Sequence, residues 1–424
     1  MPAMTRITLI ASGTRGDVQP AIAVGTGLRD AGYRVRLVAG STFRSWIEGR
    51  GLEAAPSRVD MQAIMASPTG RAWVQSGHRP LQQQRLMREI VDAHAADLIH
   101  DAADAASDAD LLLSGFTSDA YALAIGEQRG IPVASLPLQP TMLGTRDGRA
   151  MSVAPLPTRV SRLNGWFGRL ILEPLGWRVY GDAVNRFRRE LGLPAQTAGE
   201  HLAQRRRMPM LHGVSRQVMP LPADWPSTCH VTGYWFLDES APWTPPPALE
   251  AFLDDGAPPV AIGFGSMTGG DPAATSALVL EAVRRAGVRA VLLSGWGGLD
   301  AAALPSGVLV LDEVPHDWLF GRIAGVVHHG GAGTTAAAFR AGVPQAVVPH
   351  MADQPYWGRR VRALGAGPSP LPRHKLTAAS LAGALAALTG DAGMRARARA
   401  VATAVRAEDG VGEAVRLIRG FVAP

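Results

Sequence analysis

The amino-acid sequence predicts an α/β protein with two domains of similar layout, each built on a mostly parallel sheet. Two observations support this prediction. Short apolar runs alternate with helical periodicity in both halves of the 424-residue chain, and each half opens with an apolar run followed by a glycine-rich loop. At about 100–200 residues per domain, two or three domains fit this length.

The first half contains predicted strands at residues 6–12, 33–40, 110–114 and 131–138. A loop over 13–20 follows the first strand and leads to a helix over 21–31, and another helix is predicted from about Asp119 to Arg129. Strands and helices alternating at this spacing imply right-handed crossovers and a parallel sheet.

Residues 140–193 differ from the rest of the first half, because their helical spacing is interrupted and they carry Trp166 and Trp177 among several arginines. One interpretation is an amphipathic helical pair that covers the sheet. The other is the wall of a ligand pocket, with a basic aromatic face that makes transient contact with a membrane surface.

A stretch rich in Pro and Trp at 219–247 is typical of a linker between domains. The alternation then resumes with apolar runs at 258–271, 289–298, 307–315, 324–333 and 343–350, and residues 378–422 are helical in pattern. The predicted organisation is therefore a domain over 1–218, a linker over 219–247, a domain over 248–400 and a C-terminal helix over 401–424. In such sheets ligands bind at the carboxyl ends of the strands, so a site in a cleft between two facing halves is expected.

The composition excludes several classes of protein. With 47% hydrophobic and 18% charged residues, the chain is neither disordered nor collagen-like. The net charge of +6 is small for this length and is not gathered into one block, which argues against nucleic acid as the main partner. A single cysteine excludes an intramolecular disulfide framework and a Cys-rich metal site. No apolar stretch has the length of a signal-peptide core or a membrane span, so a cytoplasmic location is expected.

The strongest motif is HHGGAGTTAAAFRAGVPQAVVP at 328–349. A predicted strand ends at His328 and His329, three glycines let the backbone approach a ligand, and Thr334 and Thr335 are predicted to cap the helix that follows. Free amides and the dipole at a helix N-terminus bind phosphate. The alternative is a tight strand-to-helix turn that needs glycine. The same string fits the loose dinucleotide pattern, with Asp353 twenty residues after Gly333, so an NAD(P)-dependent oxidoreductase is a rival interpretation.

Three further loops carry candidate site residues. Asp353 and Gln354 follow the strand at 343–350 and have the groups that hold vicinal hydroxyls, although a turn before a helix also explains them. Asp17, in GTRGDVQP at 13–20, is a candidate general base or a helix N-cap. Ser266 lies in a second glycine loop and could contact phosphate, and Trp296 could stack on a base or pack in the core. Asp108 and Asp110 form the one D-x-D string considered for a metal; they are interpreted as a solvated face, so no metal site is expected.

These motifs resemble family 1 glycosyltransferases. The string from His328 to Val361 is similar to the donor-binding signature of that family, and GTRGDVQP resembles the N-terminal loop of its bacterial and sterol-type members. The subset that fits best contains sterol 3-β-glucosyltransferases and actinobacterial antibiotic glycosyltransferases. The resemblance covers nearly the whole chain, except that 140–193 shows no shared motif.

The resemblance implies a GT-B fold: two Rossmann-like parallel-sheet domains facing across a cleft, with a C-terminal helix that returns to the first domain. It implies an inverting, metal-independent and cofactor-free transfer from a UDP- or dTDP-sugar to a hydroxyl of a hydrophobic aglycone such as a polyketide, macrolide or sterol.

Site roles also follow from the resemblance. Asp17 matches the proposed base of the antibiotic members and Asp353 with Gln354 the pair that holds sugar hydroxyls. The residues that match the diphosphate site are His329, Gly330, Gly331, Gly333 and Thr334. His316 stands where plant members place a base-binding Gln, so the base contact stays open. Gln139, Trp166 and Trp177 are the acceptor-binding candidates, on the composition of this part of the chain and family analogy rather than on a shared motif. A non-catalytic nucleotide-sugar binding protein remains a third interpretation, and the sequence does not indicate the oligomeric state.

Overall fold

The computed structural model describes residues 4–156, 159–238, 243–264, 272–293 and 304–422. Ser266 and Trp296 lie outside the described residues. The chain divides into two compact units. The first unit contains Met1–Trp73, Leu81–Asp238 and Glu408–Pro424, and the second unit contains Val74–Pro80 and Glu239–Ala407.

The strands are β1 (Arg6–Ile10), β2 (Arg34–Gly40), β3 (Glu53–Ser57), β4 (Leu111–Ser114), β5 (Val133–Ser135), β6 (Met210–His212), β7 (Cys229–Val231), β8 (Val260–Gly263), β9 (Ala290–Leu293), β10 (Val308–Leu311), β11 (Gly325–His328) and β12 (Gln345–Val347). The helices are α1 (Arg15–Asp30), α2 (Arg44–Gly49), α3 (Met61–Ala66), α4 (Pro68–Gln75), α5 (Pro80–Ala105), α6 (Asp119–Arg129), α7 (Arg162–Phe167), α8 (Glu173–Glu190), α9 (Ala198–Arg207), α10 (Pro247–Asp254), α11 (Pro272–Ala286), α12 (His316–Leu319), α13 (Ala332–Ala341), α14 (Gln354–Ala363), α15 (Ala378–Gly390), α16 (Ala392–Arg406) and α17 (Gly410–Arg419). A π-helical turn, Gly168–Leu172, joins α7 to α8.

In the described part of the first unit, a seven-stranded sheet has the order β3-β2-β1-β4-β5-β6-β7. All of its ladders are parallel, with Ile7 paired to Val35 on one side and to Leu111 on the other. Helices cover both faces: α1 and α17 pack on one apolar cluster, and α5, α6 and α8 pack on the other. The order of the strands reverses between β1 and β4, so the loops after these two strands diverge and open a crevice.

The second unit repeats this design with a five-stranded parallel sheet of order β10-β9-β8-β11-β12. Its two apolar clusters are covered by α11 and α15 on one face and by α10, α12 and α13 on the other. The strand order reverses between β8 and β11, and His328 at the end of β11 pairs with Gly263 at the end of β8. The predicted class, two α/β domains with parallel sheets, is confirmed.

The boundary between the units differs from the predicted linker over 219–247. Residues 219–238 belong to the first unit, where they supply β7 and the buried side chains of Met219, Trp225 and Trp235. Proline-rich composition marks an irregular backbone, and here that backbone is packed rather than exposed. The sequence prediction also missed β3, β6 and β7, which are short strands with weak apolar patterns.

The C-terminal helix α17 belongs to the first unit and packs on α1, where a Cβ on Gly27 would lie 2.8 Å from Val411. Residues 401–407 belong to the second unit instead.

Helix α1 begins at Arg15, so most of the predicted loop over 13–20 is helical. Thr14 and Asp17 form a capping box, in which each residue satisfies a backbone N–H of the other, and this is the signal that starts the helix. Pro20 lies inside the helix, within its first two turns. Asp17 is therefore fixed on a helix rather than on a loop.

Among the described residues, none of the helices is long and apolar enough to span a membrane. The same residues contain no group of three or more His, Cys, Asp and Glu side chains that could hold a metal ion. Asp108 and Asp110 of the D-x-D string bond to arginines: Asp108 pairs with Arg6 and Arg36, and Asp110 accepts the backbone N–H of Arg6 at 2.7 Å.

Candidate active site

The first unit has a pocket at its crevice, where the carboxyl ends of β1, β4 and β5 meet. Its walls are mostly apolar and aromatic, with a few polar side chains. The lining residues include Leu9, Ile10, Leu113, Phe116, Leu136, Leu138 and Trp235, together with Ser12, Asp17, Thr117 and Gln139. A concave apolar site with a few polar groups is the usual form of a small-molecule pocket. The structure thus places Asp17 and Gln139 in one pocket.

Asp17 is exposed at the rim of this pocket, on the first turn of α1. Its Oδ2 accepts hydrogen bonds from the backbone N–H of Thr14 at 2.9 Å and from the Thr14 hydroxyl at 3.3 Å. Both bonds go to the same oxygen. The surrounding protein displaces water from the carboxylate and raises the pKa of Asp17, while the bonds from Thr14 act in the opposite direction. A raised pKa makes a carboxylate a stronger base. Asp17 thus caps the helix and still presents a carboxylate to the pocket.

A buried hydrogen-bond network supports the pocket, and no sequence motif predicted it. Asp119 accepts hydrogen bonds from Ser114 at 2.6 Å and from Ser135 at 2.9 Å, which are the last residues of β4 and β5. Arg205 lies 3.9 Å from Asp119 and its guanidinium stacks 5.4 Å from the centre of the Phe116 ring. Burial raises the pKa of Asp119 to about 6. The network therefore fixes two strand ends and one wall of the pocket.

Trp166 and Trp177 do not line this pocket. Trp177 packs among α8 and α9, where it stacks on His201 with ring centres 4.6 Å apart. Trp166 is 56% exposed on α7. In the insert at 140–193, Trp177 is therefore partly buried against the core of the first unit, and Trp166 lies on the surface.

In the second unit, the loop after β11 leads directly into α13. Gly330 has φ +95°, a conformation that favours glycine, and its backbone N–H donates to Nδ1 of His328 at 3.1 Å. The next residue, Gly331, is the N-cap of α13. The predicted capping by the two threonines is therefore wrong. The chain turns into the helix before it reaches them, and the Thr335 hydroxyl instead donates back to the carbonyl of Gly331 at 2.8 Å.

The two histidines of the motif have different roles. His328 is fully buried and bridges Gly330 to Gln345, whose Oε1 lies 3.0 Å from its Nε2. His329 points along the helix terminus, since a Cβ on Gly331 would lie 2.5 Å from its Nε2. Desolvation, together with His328, His350 and His316 nearby, lowers the pKa of His329 to about 3, so its imidazole is neutral at pH 7. A neutral imidazole at this position can donate one hydrogen bond to a ligand.

The space around the start of α13 is open on the ligand side. A Cβ on Gly333 would meet no protein atom within 4 Å, and Thr334 is half-exposed on the same turn. Free backbone N–H groups at a helix start carry partial positive charge. His329, Gly331, Gly333 and Thr334 therefore lie around one open position whose chemistry suits an anion.

Asp353 and Gln354 lie beside this position, at the start of α14. The Gln354 backbone carbonyl would be 3.1 Å from a Cβ on Gly330, so the two loops are in contact. The Gln354 Oε1 accepts the backbone N–H groups of His350 at 2.7 Å and Met351 at 3.0 Å. Asp353 accepts a hydrogen bond from Trp357 Nε1 at 2.5 Å. Because the Gln354 oxygen closes its own loop, its amide nitrogen is the group left to donate to a ligand.

The loop before α14 contains a strained residue. A segment distant in the sequence also packs on this loop, and the sequence did not predict that contact. Ala352 has φ +52°, which is costly for a residue with a Cβ. Residues 74–80, far away in the sequence, pack on the loop: Gly77 approaches the His350 carbonyl and His78 stacks on His374. His316 stacks on Phe320 at the start of α12, near His328 and His329.

Two parallel-sheet units, each with a candidate site loop at its switch point, are typical of the GT-B class of α/β proteins. Solved structures agree with this class. The glycosyltransferase of kitacinnamycin has a TM-score of 0.72 at 20% identity and covers 100% of both chains. The glycosyltransferase VinC, solved in complex with dTDP, has a TM-score of 0.69 at 20% identity and covers 99% of both chains.

Sequence comparisons then show the family. Residues 7–143 match the glycosyltransferase family 28 N-terminal domain, and residues 289–418 match the C-terminal domain of the erythromycin biosynthesis protein CIII-like family. The O-mycaminosyltylonolide 6-deoxyallosyltransferase of Streptomyces fradiae is 36% identical and aligns over 97% of this chain and 96% of its own length. The chain therefore belongs to the GT-B glycosyltransferase family that contains the macrolide glycosyltransferases.

Another group of relatives is longer. The sterol 3-β-glucosyltransferase of Aspergillus fumigatus is 35% identical over 97% of this chain, but the chain spans only 29% of that relative's length. Family membership favours the glycosyltransferase interpretation of the Gly331–Ala336 string over a dinucleotide site.

Proposed function

We propose that the protein transfers a sugar from a UDP- or dTDP-sugar to a hydroxyl group of a hydrophobic aglycone, such as a macrolide, another polyketide or a sterol. The observation that carries the proposal is that one chain contains two candidate sites, one suited to an apolar alcohol and one suited to a diphosphate. The first unit has an apolar pocket with a carboxylate at its rim, and the second has an anion-binding helix terminus with a neutral histidine. The named relatives, a macrolide deoxyallosyltransferase and a sterol glucosyltransferase, support the same reaction and acceptor class.

The first unit is assigned to the acceptor. The apolar lining excludes water and would bury a ring system, while Ser12, Thr117 and Gln139 would orient its polar groups. Asp17 accepts the proton of the acceptor hydroxyl as the oxygen attacks the anomeric carbon. An aspartate is a weak base toward an alcohol, but the hydroxyl becomes acidic as the new C–O bond forms, and the capping box holds the carboxylate in place.

The second unit is assigned to the donor. The bond between the anomeric carbon and the diphosphate oxygen breaks, and its electron pair leaves with the diphosphate. The amides at the start of α13 and the His329 N–H stabilise the added negative charge, and in this proposal they replace a metal ion. Asp353 and the amide nitrogen of Gln354 hold sugar hydroxyls. We also propose a cytoplasmic reaction, in keeping with the cysteine content.

Product analysis tests the proposal. The purified protein is incubated with UDP- and dTDP-sugars and a panel of apolar hydroxylated aglycones, and products are detected by mass. Asp17→Asn should lower turnover by about 10²–10⁴-fold and leave binding of the nucleoside diphosphate unchanged. Asp30→Asn, an exposed change near the other end of α1, is the matched control.

The second arm concerns the donor. His329→Ala should weaken binding of UDP or dTDP by calorimetry, with His100→Ala, an exposed histidine on α5, as the control. Wild-type binding of NADP but of neither nucleoside diphosphate would contradict the proposal. Binding of a nucleotide sugar without product from any acceptor, together with an inert Asp17→Asn change, would instead favour a non-catalytic binding protein.

A further inference from the structure

The segment at 140–193, the insert that contains α7, presents an unusual apolar surface. Most of the large hydrophobic side chains that are exposed in the described structure are concentrated there, although the insert is a small part of the chain. The exposed side chains are Val153, Val160, Leu163, Trp166, Leu170 and Ile171. Leu163 and Trp166 are spaced i and i+3 on α7, so they share one helical face, and Leu170 and Ile171 are exposed on the π-helical turn that follows. We call Val160, Leu163, Trp166, Leu170 and Ile171 the α7 face.

The exposed charges beside this face have one sign. Arg159, Arg162, Arg169 and Arg178 are exposed, and among the described residues none of the four forms an ion pair. The acidic residue within this stretch, Glu173, is buried and bonds to Arg206 at 2.7 Å and to the Gly144 backbone N–H at 2.7 Å. The α7 face is therefore apolar in its middle and cationic at its border.

The face is also held rigidly in this orientation. Asn164, fully buried on the opposite side of α7, donates to the carbonyls of Leu156 at 3.0 Å and Arg159 at 2.6 Å. The π-helical turn at 168–172 shifts the register, so that Leu170 and Ile171 both stay exposed while Leu172 is buried. π-turns of this kind are frequent at functional sites.

We propose that the α7 face binds the surface of a membrane containing anionic lipids. A helix with Leu and Trp on one face and Arg at its border lies in the bilayer interface, with the ring at the headgroup level and the guanidinium groups on lipid phosphates. The charge of the border selects anionic over neutral lipid. This surface lies outside the acceptor pocket, and its test needs no substrate, so it does not depend on the proposed reaction.

Vesicle sedimentation tests the surface. The purified full chain is mixed with vesicles of phosphatidylcholine alone or with about 30% phosphatidylglycerol, at low and high salt. Wild type should bind the anionic vesicles roughly tenfold more tightly than the neutral ones, and salt should weaken the binding. Trp166→Asp with Leu170→Asp should abolish binding, and Arg162→Gln with Arg169→Gln should remove the preference for anionic lipid.

Matched controls lie elsewhere on the first unit. Leu81→Asp changes a side chain that is 84% exposed on α5, and Arg34→Gln changes an exposed arginine at the start of β2. Both should bind vesicles as wild type does, and far-UV circular dichroism checks that all variants are folded. Equal losses in the control and α7-face variants would overturn the proposal. A wild-type protein that binds no vesicles would also overturn the proposal. Sedimentation velocity would show whether the α7 face instead forms a dimer through Trp166.

Discussion

Gly333 offers the sharpest test of the donor site, because the protein itself does not require a glycine there. The residue is exposed on the first turn of α13, and a Cβ would meet no protein atom within 4 Å. Gly333→Ala should therefore leave the free protein as stable as wild type or more so, by up to about 1 kcal/mol. If a diphosphate occupies that open space, the added methyl group weakens its binding.

Thermal unfolding in the presence of dTDP or UDP measures this loss of nucleotide affinity. A nucleotide at 100 times its dissociation constant stabilises by about 2.7 kcal/mol, and a tenfold loss of affinity at the same concentration leaves about 1.4 kcal/mol. Because one kcal/mol moves the midpoint of a unit this size by about 2–4 °C, the nucleotide-induced shift should fall by about half.

Two glycine variants act as comparisons. Gly383→Ala makes the same change at an exposed position of α15 where a Cβ also meets nothing, so it should keep the full nucleotide shift. The backbone of Gly331, at φ −61°, also accepts an alanine. The new Cβ would press on the His329 ring, so the Gly331→Ala variant should bind the nucleotide more weakly as well. If Gly333→Ala and Gly383→Ala bind the nucleotide equally well, no diphosphate lies over the start of α13.

Three further predictions, one pH profile and two substitutions, concern the residues around the two sites. Turnover should fall at acid pH as Asp17 becomes protonated, because only its ionised form accepts a proton. Since the pKa of Asp17 is raised, this fall should be centred above the ordinary aspartate pKa of about 3.9. A fall centred at or below the ordinary value would contradict the assignment of Asp17 as the base. His328→Leu leaves the Gly330 N–H and the Gln345 oxygen without their partner, so urea unfolding should show a loss of about 1–3 kcal/mol, whereas unchanged stability would show that the loop does not need this bridge. Gly77→Ala places a Cβ against the backbone of the His350 loop, which should cost about 1–3 kcal/mol. Calorimetry should then show a larger loss for the nucleotide sugar than for the nucleoside diphosphate, and equal losses would mean that this loop does not hold the sugar.

The sequence alone determined the class of fold, because buried parallel strands are continuous apolar runs and the loops that follow them are rich in glycine. It also determined which segments after the strands carry candidate site residues: Asp17 after β1, His329 after β11, and Asp353 after β12. These residues occupy short segments whose composition departs from ordinary helix and strand patterns, and such local signals are readable without a structure.

Only the tertiary structure decided what each of these residues contacts. Contacts distant in sequence joined buried His328 to Gln345 and assembled Asp119, Arg205 and Phe116 under the pocket. The fold of the loop before α14 committed the Gln354 oxygen to the backbone of His350 and Met351. Packing left Trp177 partly buried against the core and Trp166 exposed, although both belong to the same segment of the sequence. It also brought residues 74–80 to the His350 loop and placed residues 219–238 of the predicted linker in the first unit. Contacts of this kind depend on how elements pack in three dimensions, and local periodicity does not contain that information.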